Sequence, residues 1–561
     1  MHRNPPGASG VSAGAADAPP GQSAPSHVIG ASALGTLFEW YDFFLYGSLA
    51  SLIAAHFFSA VDPTTGFIFA LATFAVGFIV RPLGALLFGR IGDLTGRKNT
   101  FLATLTLMGV ATVLVGVLPG YESIGIAAPV TLVVLRILQG LAIGGEFGGA
   151  IVYVAEHAPT ERRGLYTSWI PATAIGGFLL SLVVIMATRS AMTPDSFAAW
   201  GWRVPFLASI VLLGISLWIR LRLHESPVFR RMKASRSLSR APLRELFLQW
   251  HNVRYLLVGT FGCVAGQAVL FYASTFYAFF FIERIARVDS ATVTLLAGCA
   301  LVLGAPLILL SGWLSDRIGR RPVLLGGLLL AVLGYFPLFE ALLTSANPAL
   351  ARAQQESPVV VHAAHDDCSL QFDPLGNRRY DARSCDIVKS LLARSGVGHA
   401  TVPLAAPGPA RLDIGGESII APDPSALSGD GLASAVAAFQ SGAQQALTAA
   451  GYRAEADPAD IDRLRVIGIL VLLLCIAALA TGSYGALLVE LFPARIRYSA
   501  VSFPQNFGNG WFGGLLPAVA FTIVAATGDV FAGLWYPVGV AALCFVVGAF
   551  GLPETRGRPL E

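Results

Sequence analysis

Charge is what this chain of 561 residues has least of: 13% of its residues are Asp, Glu, Lys or Arg, while 55% are apolar. A soluble domain averages about a quarter charged residues, so a typical cytosolic globular protein is excluded. Lysine is almost missing. Lys98, Lys233 and Lys389 are the three among 38 basic residues, which leaves no lysine-rich surface, and nucleic acid is not expected as a partner. Nowhere is Gly followed by Lys, so the glycine loop that cradles phosphates in ATPases is absent and ATP is not expected as the energy source. Cysteine is sparse, at six residues. Cys263, Cys299, Cys475 and Cys544 lie in apolar stretches, where a thiol packs as a small apolar group. No nucleophile–base motif stands out, and an enzyme is not expected. The run His362-x-x-His365-Asp366 comes nearest to a metal motif, but its short spacing in a polar loop is a weak ligand pattern, and no metal is expected.

What the chain has in abundance is long apolar blocks. Twelve spans are read at roughly 28–56, 66–89, 100–119, 125–155, 165–188, 203–222, 254–282, 290–312, 322–344, 464–491, 499–526 and 531–552, each near the ~20 residues that cross a bilayer. Residues 1–27 hold 19 Pro, Gly, Ala or Ser and read as a disordered tail; they carry no cleavable secretory pattern. The short connections after spans 2, 4, 6, 8 and 10 carry 16 Lys or Arg, and those on the other side carry Arg189, Arg284 and Arg287. Positive residues stay on the cytoplasmic side. A multi-pass protein of a bacterial-type inner membrane with both termini cytoplasmic is therefore expected, its lipid bilayer the principal surrounding and its oligomeric state a monomer.

The spans repeat as six and six. Gly89, Asp93, Gly96, Arg97 and Lys98 after span 2 recur as Gly312, Asp316, Gly319, Arg320 and Arg321 after span 8. Glu156 and Pro159, followed by Arg162 and Arg163, recur as Glu490 and Pro493, followed by Arg495 and Arg497; Glu225-Ser226 recurs as Glu554-Thr555. Such repeats mark a carrier whose site lies between two halves. Asp93 and Asp316 are 223 residues apart, but Glu156 and Glu490 are 334 apart, so about 110 residues are inserted in the second half. The expected domains are a tail (1–27), an N-terminal six-helix bundle (28–222), a cytoplasmic linker (223–253), a C-terminal bundle in two parts (254–344 and 464–552), a periplasmic insertion (345–463) and a short tail (553–561). Within the insertion, 385–395 and 429–451 read as helices, and Ala400–Leu404 and Arg411–Ile414 as strands. The periplasm is oxidising, so a Cys368–Cys385 disulfide is expected.

The Gly-Asp-Gly-Arg loops of both halves resemble the signature loop of the major facilitator superfamily, and Arg136-x-x-Gln139-Gly140 resembles its second motif. Phe38–Phe43, Arg81-Pro82-Leu83-Gly84, Gly144–Gly149, Gly201–Phe206 and Pro553–Gly557 resemble its metabolite:proton symporter branch, which includes carriers for α-ketoglutarate, shikimate, citrate and betaine-type osmoprotectants. The resemblance covers 28–344 and 464–557. It implies an all-α membrane protein of twelve helices in two six-helix bundles, to which the insertion is foreign.

A charge inside the membrane usually faces a cavity or a partner. The set read here is Glu39, Asp42, Arg81, Arg136, Glu146 and Glu340. Glu39 and Asp42 are about 60° apart on one helix face and about 4.5 Å apart along its axis, where two carboxylates resist ionising together. Proton coupling is assigned to Glu39, Asp42 and Arg136. An ion network or gate is assigned to Arg81 with Glu146, at similar depth, and to Asp93, Arg97, Asp316 and Arg320, the two aspartates being placed to cap a helix or pair with an arginine. Glu340 is placed at the interface. Tyr41, Arg136, Gln267, Tyr272, Gln505, Asn506 and Asn509 are the expected substrate contacts, because arginine, amides and phenols together suit a solute with a carboxylate.

The function expected is proton-coupled uptake of a small organic acid by rocking of the two bundles, with the proton as coupling ion and no cofactor. Two alternatives are a proton-antiport exporter, whose span 5 motif is only partly matched around Pro171, and a nutrient sensor that uses the insertion to bind a partner.

Overall fold

In the computed structural model the described residues are 25–60, 63–222, 225–364, 367–369, 382–395, 397–404, 408–453 and 455–560. The tail expected at 1–27 lies outside them except for its last three residues, which are helical.

Long apolar helices dominate because a backbone inside lipid must satisfy its own hydrogen bonds. In the first half they are α1 (Pro25–Ser48), α2 (Arg81–Thr95), α3 (Arg97–Val117), α4 (Ala127–His157), α5 (Arg163–Ser190) and α6 (Arg203–Leu221). The second half holds α7, the span Trp250–Ile285, then α8 (Ser290–Ile318), α9 (Arg320–Ala346), α10 (Arg463–Leu491), α11 (Arg497–Phe507) and α12 (Trp535–Gly551). Among the described residues eleven helices are long and apolar enough to cross a membrane; α1, with Glu39 and Asp42 in its middle, precedes them. The expected linker is partly helical, at Pro227–Ala234 and Pro242–Leu248.

Helix α4 is buried along almost all of its second half, from Gln139 to Glu156. Glycine makes this possible: Gly144 lies against the Arg81 carbonyl of α2, and Gly148 and Gly149 lie against Ser502 and Tyr498 of α11. Small residues let helices approach this closely, so α4 sits where the two halves meet. Helix α7 is interrupted by π turns at Thr260–Val264, Ala273–Tyr277 and Phe281–Ile285, and the continuation of α11 by one at Gly508–Gly513. Such turns redirect side chains and often mark functional sites.

The insertion folds as a small α/β cap. Its sheet has the order β2-β1-β3-β4, with β1 Val359–Ala363, β2 Ala400–Pro403, β3 Arg411–Ile414 and β4 Glu417–Ile420. β1 and β2 are parallel, and the other pairs are antiparallel. The crossover from β1 to β2 runs through the helix Ser384–Arg394, as a parallel pair requires. Cys368 and Cys385 are bonded. The helices expected at 385–395 and 429–451 are present as Ser384–Arg394 and Gly429–Ala449. β1 and β4 were not anticipated, because short strands in a polar segment give little periodicity. Of the weak metal motif, His365 and Asp366 lie outside the described residues; His362 pairs with Asp413 at 3.0 Å.

Hydrogen bonds fasten this cap to the second half. Asn347 donates to the Ala286 carbonyl at 3.0 Å, Ala456 N–H to Arg287 at 2.9 Å, and His399 N–H to Gly528 at 2.8 Å. The Arg287 guanidinium donates to the carbonyls of Arg453 and Ser395. Burial, with the Lys389 charge nearby, pushes the His399 imidazole down to about 4. Its unfolded value is 6.5, so the folded cap disfavours the protonated ring and loses stability as pH falls from about 6.5 towards 4. Limited proteolysis of the insertion is therefore expected to accelerate between pH 7 and pH 5, and His399→Gln should flatten that dependence.

Candidate functional site

The short turns after α2 and α8 reverse the chain at Gly96 and Gly319, whose φ values of 115° and 112° favour glycine. Each preceding aspartate reaches across to the other half. Asp93 accepts from the backbone N–H groups of Tyr498 and Ser499 at 3.1 and 3.0 Å and from the Ser499 hydroxyl at 2.7 Å. It thereby caps the N-terminus of α11. Asp316 accepts from Gly164 and Leu165 N–H at 2.8 Å each, capping α5. An N-terminal turn presents unpaired N–H groups and positive partial charge, so a carboxylate there is stabilising.

Arginines complete the same pattern twice. Arg97 lies 3.6 Å from both Asp93 and Glu156, and Glu156 lies 3.2 Å from Arg497 of the other half. In the repeat, Arg320 pairs with Asp316 at 2.5 Å and Glu490 at 3.4 Å, and Glu490 pairs with Arg163 at 2.7 Å. Glu225 caps α3 through Arg97 N–H at 3.0 Å, and Glu554 caps α9 through Arg320 N–H at 3.0 Å. The two halves are closed against each other at this end.

Above that seal, side chains of both halves line a cavity. Trp40, Arg81, Ile143, Phe147, Pro171 and Ala174 come from the first half; Gln267, Phe271, Tyr272, Thr481, Tyr484, Gln505, Asn506 and Asn509 come from the second. Five of the seven expected substrate contacts are here: Gln267, Tyr272, Gln505, Asn506 and Asn509. One turn further towards the insertion, Phe44 lies 5.6 Å from Phe276 and 4.9 Å from Phe178, ring centre to ring centre. These three follow the cavity residues Trp40, Tyr272 and Ala174 by four positions each, so an aromatic layer lies between the cavity and the insertion end.

Arg81 is placed differently from expectation. It does not pair with Glu146. Its guanidinium carbon lies 4.3 Å from the Phe78 ring centre and 4.5 Å from that of Phe43. Nε and Nη2 of Arg81 have no protein acceptor, although the residue is 2% exposed. Glu146 instead forms a close ion pair with Arg220 of α6 and accepts from Thr104 at 3.0 Å. Arg220 also lies 3.6 Å from Glu39.

The expected Glu39–Asp42 pair is likewise divided. Glu39 turns to Arg220, whereas Asp42 accepts from Ser209 at 2.5 Å. Ser209 and Arg220 are eleven residues apart on α6, about 16 Å of helix rise. Arg136 heads a separate chain of polar groups: it donates to Gln139 at 2.7 Å, Gln139 donates to Thr112 at 2.9 Å, and the Thr112 hydroxyl donates to the Met108 carbonyl at 3.0 Å. Arg136 lies 4.1 Å above the Tyr46 ring and does not line the cavity. Nor does Tyr41, whose hydroxyl donates to the Pro205 carbonyl at 2.8 Å. Glu340 is exposed.

Arg220, Thr112, Gln139, Trp40, Thr481 and Tyr484 were missing from the expected site. Arg220 had a signal, an arginine inside the apolar span 203–222. Gln139 and Trp40 lay inside motifs named above; Thr112, Thr481 and Tyr484 had no signal beyond being polar or aromatic in a helix.

Comparison with known proteins matches this architecture. The family model described as "Sugar (and other) transporter" matches residues 28–246 and 435–561, and "MFS/sugar transport protein" matches 148–356. The inner membrane metabolite transport protein YhjE of Escherichia coli (strain K12) is 38% identical over 328 residues, covering 58% of this chain and 74% of that protein. The shikimate transporter of the same organism is 37% identical, covering 55% and 70%. Among solved structures, the proton:xylose symporter XylE bound to 6-bromo-6-deoxy-D-glucose has a TM-score of 0.62 at 15% identity, covering 96% of this chain and 97% of that one; the likeness is one of fold.

Replacing Asp93 by Asn halves the cap on α11 and removes its charge, a loss of about 1 kcal/mol. A thiol placed at Ser502 should then be labelled from the Asp93 end several-fold faster than in the otherwise unaltered protein.

Proposed function

The chain belongs to the sugar (and other) transporter family of the major facilitator superfamily, and from that premise we propose that it carries a small organic acid into the cell together with a proton. The observation that carries this reading is Arg81: a guanidinium 2% exposed, in a cavity shared by the two halves, with two N–H-bearing nitrogens that no protein group accepts. A buried donor without a partner costs free energy, and a carboxylate docking on it recovers that cost with charge-assisted hydrogen bonds.

On this reading the twelve helices cross an inner membrane with both termini cytoplasmic and the insertion in the periplasm. Asp42 takes up the proton. It is held by the Ser209 hydroxyl rather than a direct arginine partner, so its charge can be removed without breaking an ion pair. Arg136, hydrogen-bonded to Gln139 and through it to Thr112, assists the coupling. Glu39 is a partner of Arg220 and holds α1 to α6. Opening towards the cytoplasm then requires the Asp93 and Asp316 caps to release, while opening outward requires the Phe44–Phe178–Phe276 layer to part. The proton is the coupling ion, and the carrier works as a monomer without a cofactor.

The test is uptake of radiolabelled organic acids into proteoliposomes under an imposed pH gradient. One pH unit supplies 1.36 kcal/mol per proton, about tenfold accumulation. Asp42→Asn should abolish accumulation while leaving exchange of preloaded solute. Arg81→Gln should abolish both. Uptake that ignores the gradient in the unaltered protein removes the symport reading and leaves the family assignment intact.

A further inference from the structure

The cavity contains one cation and no anion: Arg81 is its single basic lining residue, and no carboxylate lines it among the described residues. Several amide hydrogens of the second half are already engaged. Asn506 gives its amide hydrogens to the carbonyls of Gly144 and Ser502 at 2.7 and 2.8 Å, Asn509 donates to the Gln505 carbonyl at 3.0 Å, and Gln267 donates to Thr481 at 3.2 Å. Two buried acceptors remain open. Gln267 Oε1 and Gln505 Oε1 are buried without a hydrogen-bond partner, in residues each 3% exposed.

We infer that the solute is a hydroxylated monocarboxylate, bound with its single carboxylate on Arg81 and its hydroxyl groups donating to Gln267 and Gln505. This rests on the organic-acid symport reading above and narrows it. The aromatic faces of Phe43 and Phe78 cover the guanidinium, so a ligand approaches along its edge, where the N–H fork matches one carboxylate. A second carboxylate has no cation to meet. It would be buried with no charge to answer it, and such a charge is strongly disfavoured. A quaternary ammonium group has the opposite defect: it has no N–H to give, so both amide oxygens would stay unpaired. A site built to receive hydrogen bonds discriminates against ligands that cannot make them. A neutral polyol satisfies the oxygens but leaves Arg81 unanswered.

A charge consequence follows. One carboxylate entering with one proton moves no net charge, so uptake is driven by the pH gradient and is indifferent to membrane potential.

The experiment uses the full chain in proteoliposomes with an acidic exterior, with and without a potassium-diffusion potential. The probes are quinate and D-gluconate (hydroxylated monocarboxylates), malate, citrate, glycine betaine and myo-inositol. The expected result is that quinate or gluconate enters at least tenfold faster than the other four at equal concentration, unchanged by the potential. Gln505→Leu should raise KM for the carried acid about tenfold with kcat nearly kept. Arg81→Lys, which retains the charge but not the fork, should keep measurable uptake at raised KM and report a folded protein if Arg81→Gln is silent. Malate or citrate carried equally well under a pH gradient, betaine preferred, or uptake that responds to the potential would each overturn the inference and leave proton symport standing. Gradient-independent uptake of every acid would instead remove symport itself, and the inference with it.

Discussion

A charge taken out of water must be answered by another charge, by hydrogen bonds or by a ligand, and that requirement organises the whole molecule. At the sealed end every carboxylate described has several partners: Asp93 and Asp316 on helix N-termini, Glu156 and Glu490 on arginines of both halves. Deeper in the first half the answers thin to single contacts, such as Ser209 on Asp42. In the cavity, Arg81 has nitrogens with none. Saturation at the seal and vacancy at the centre are complementary. The first holds one arrangement of the halves, and the second gives a ligand something to alter.

The duplication of the seal has a physical logic. A single Asp-to-helix cap supplies about 1 kcal/mol, too little to hold two multi-helix halves in register. Two caps in opposite directions across the interface, joined to arginine–glutamate pairs, resist both sliding and tilting. Each is also made largely of hydrogen bonds to backbone N–H groups, which water can replace when the halves separate. A seal of buried apolar surface would lack that reversibility.

Much of this was legible in the chain because it is periodic. Gly96 and Gly319, Glu156 and Glu490, and Glu225 and Glu554 repeat in order, and repetition shows which residues play equivalent parts. The amides of α7 and α11 were legible as polar residues in apolar helices. Partner choice was not. Depth arithmetic put Glu146 and Arg81 at one level, and α2 and α4 do touch there, at the Arg81 carbonyl and Gly144. The Arg81 side chain nevertheless turns to the cavity, because depth along a helix says nothing about rotation around it. The same blindness separated Glu39 from Asp42 and hid Arg220, which meets Glu39 and Glu146 from a third helix. Tyr41, one position from Trp40, was assigned to the cavity for the same reason and faces α6 instead.

The insertion is tied by its described hydrogen bonds to Ala286, Arg287, Ser345 and Gly528, all in the second half. Its burden is therefore one-sided. In the rocking cycle proposed above, this folded mass travels as cargo of a single rocker, and a probe fixed to its surface sweeps an arc that reads out the carrier's stroke from outside the permeation route.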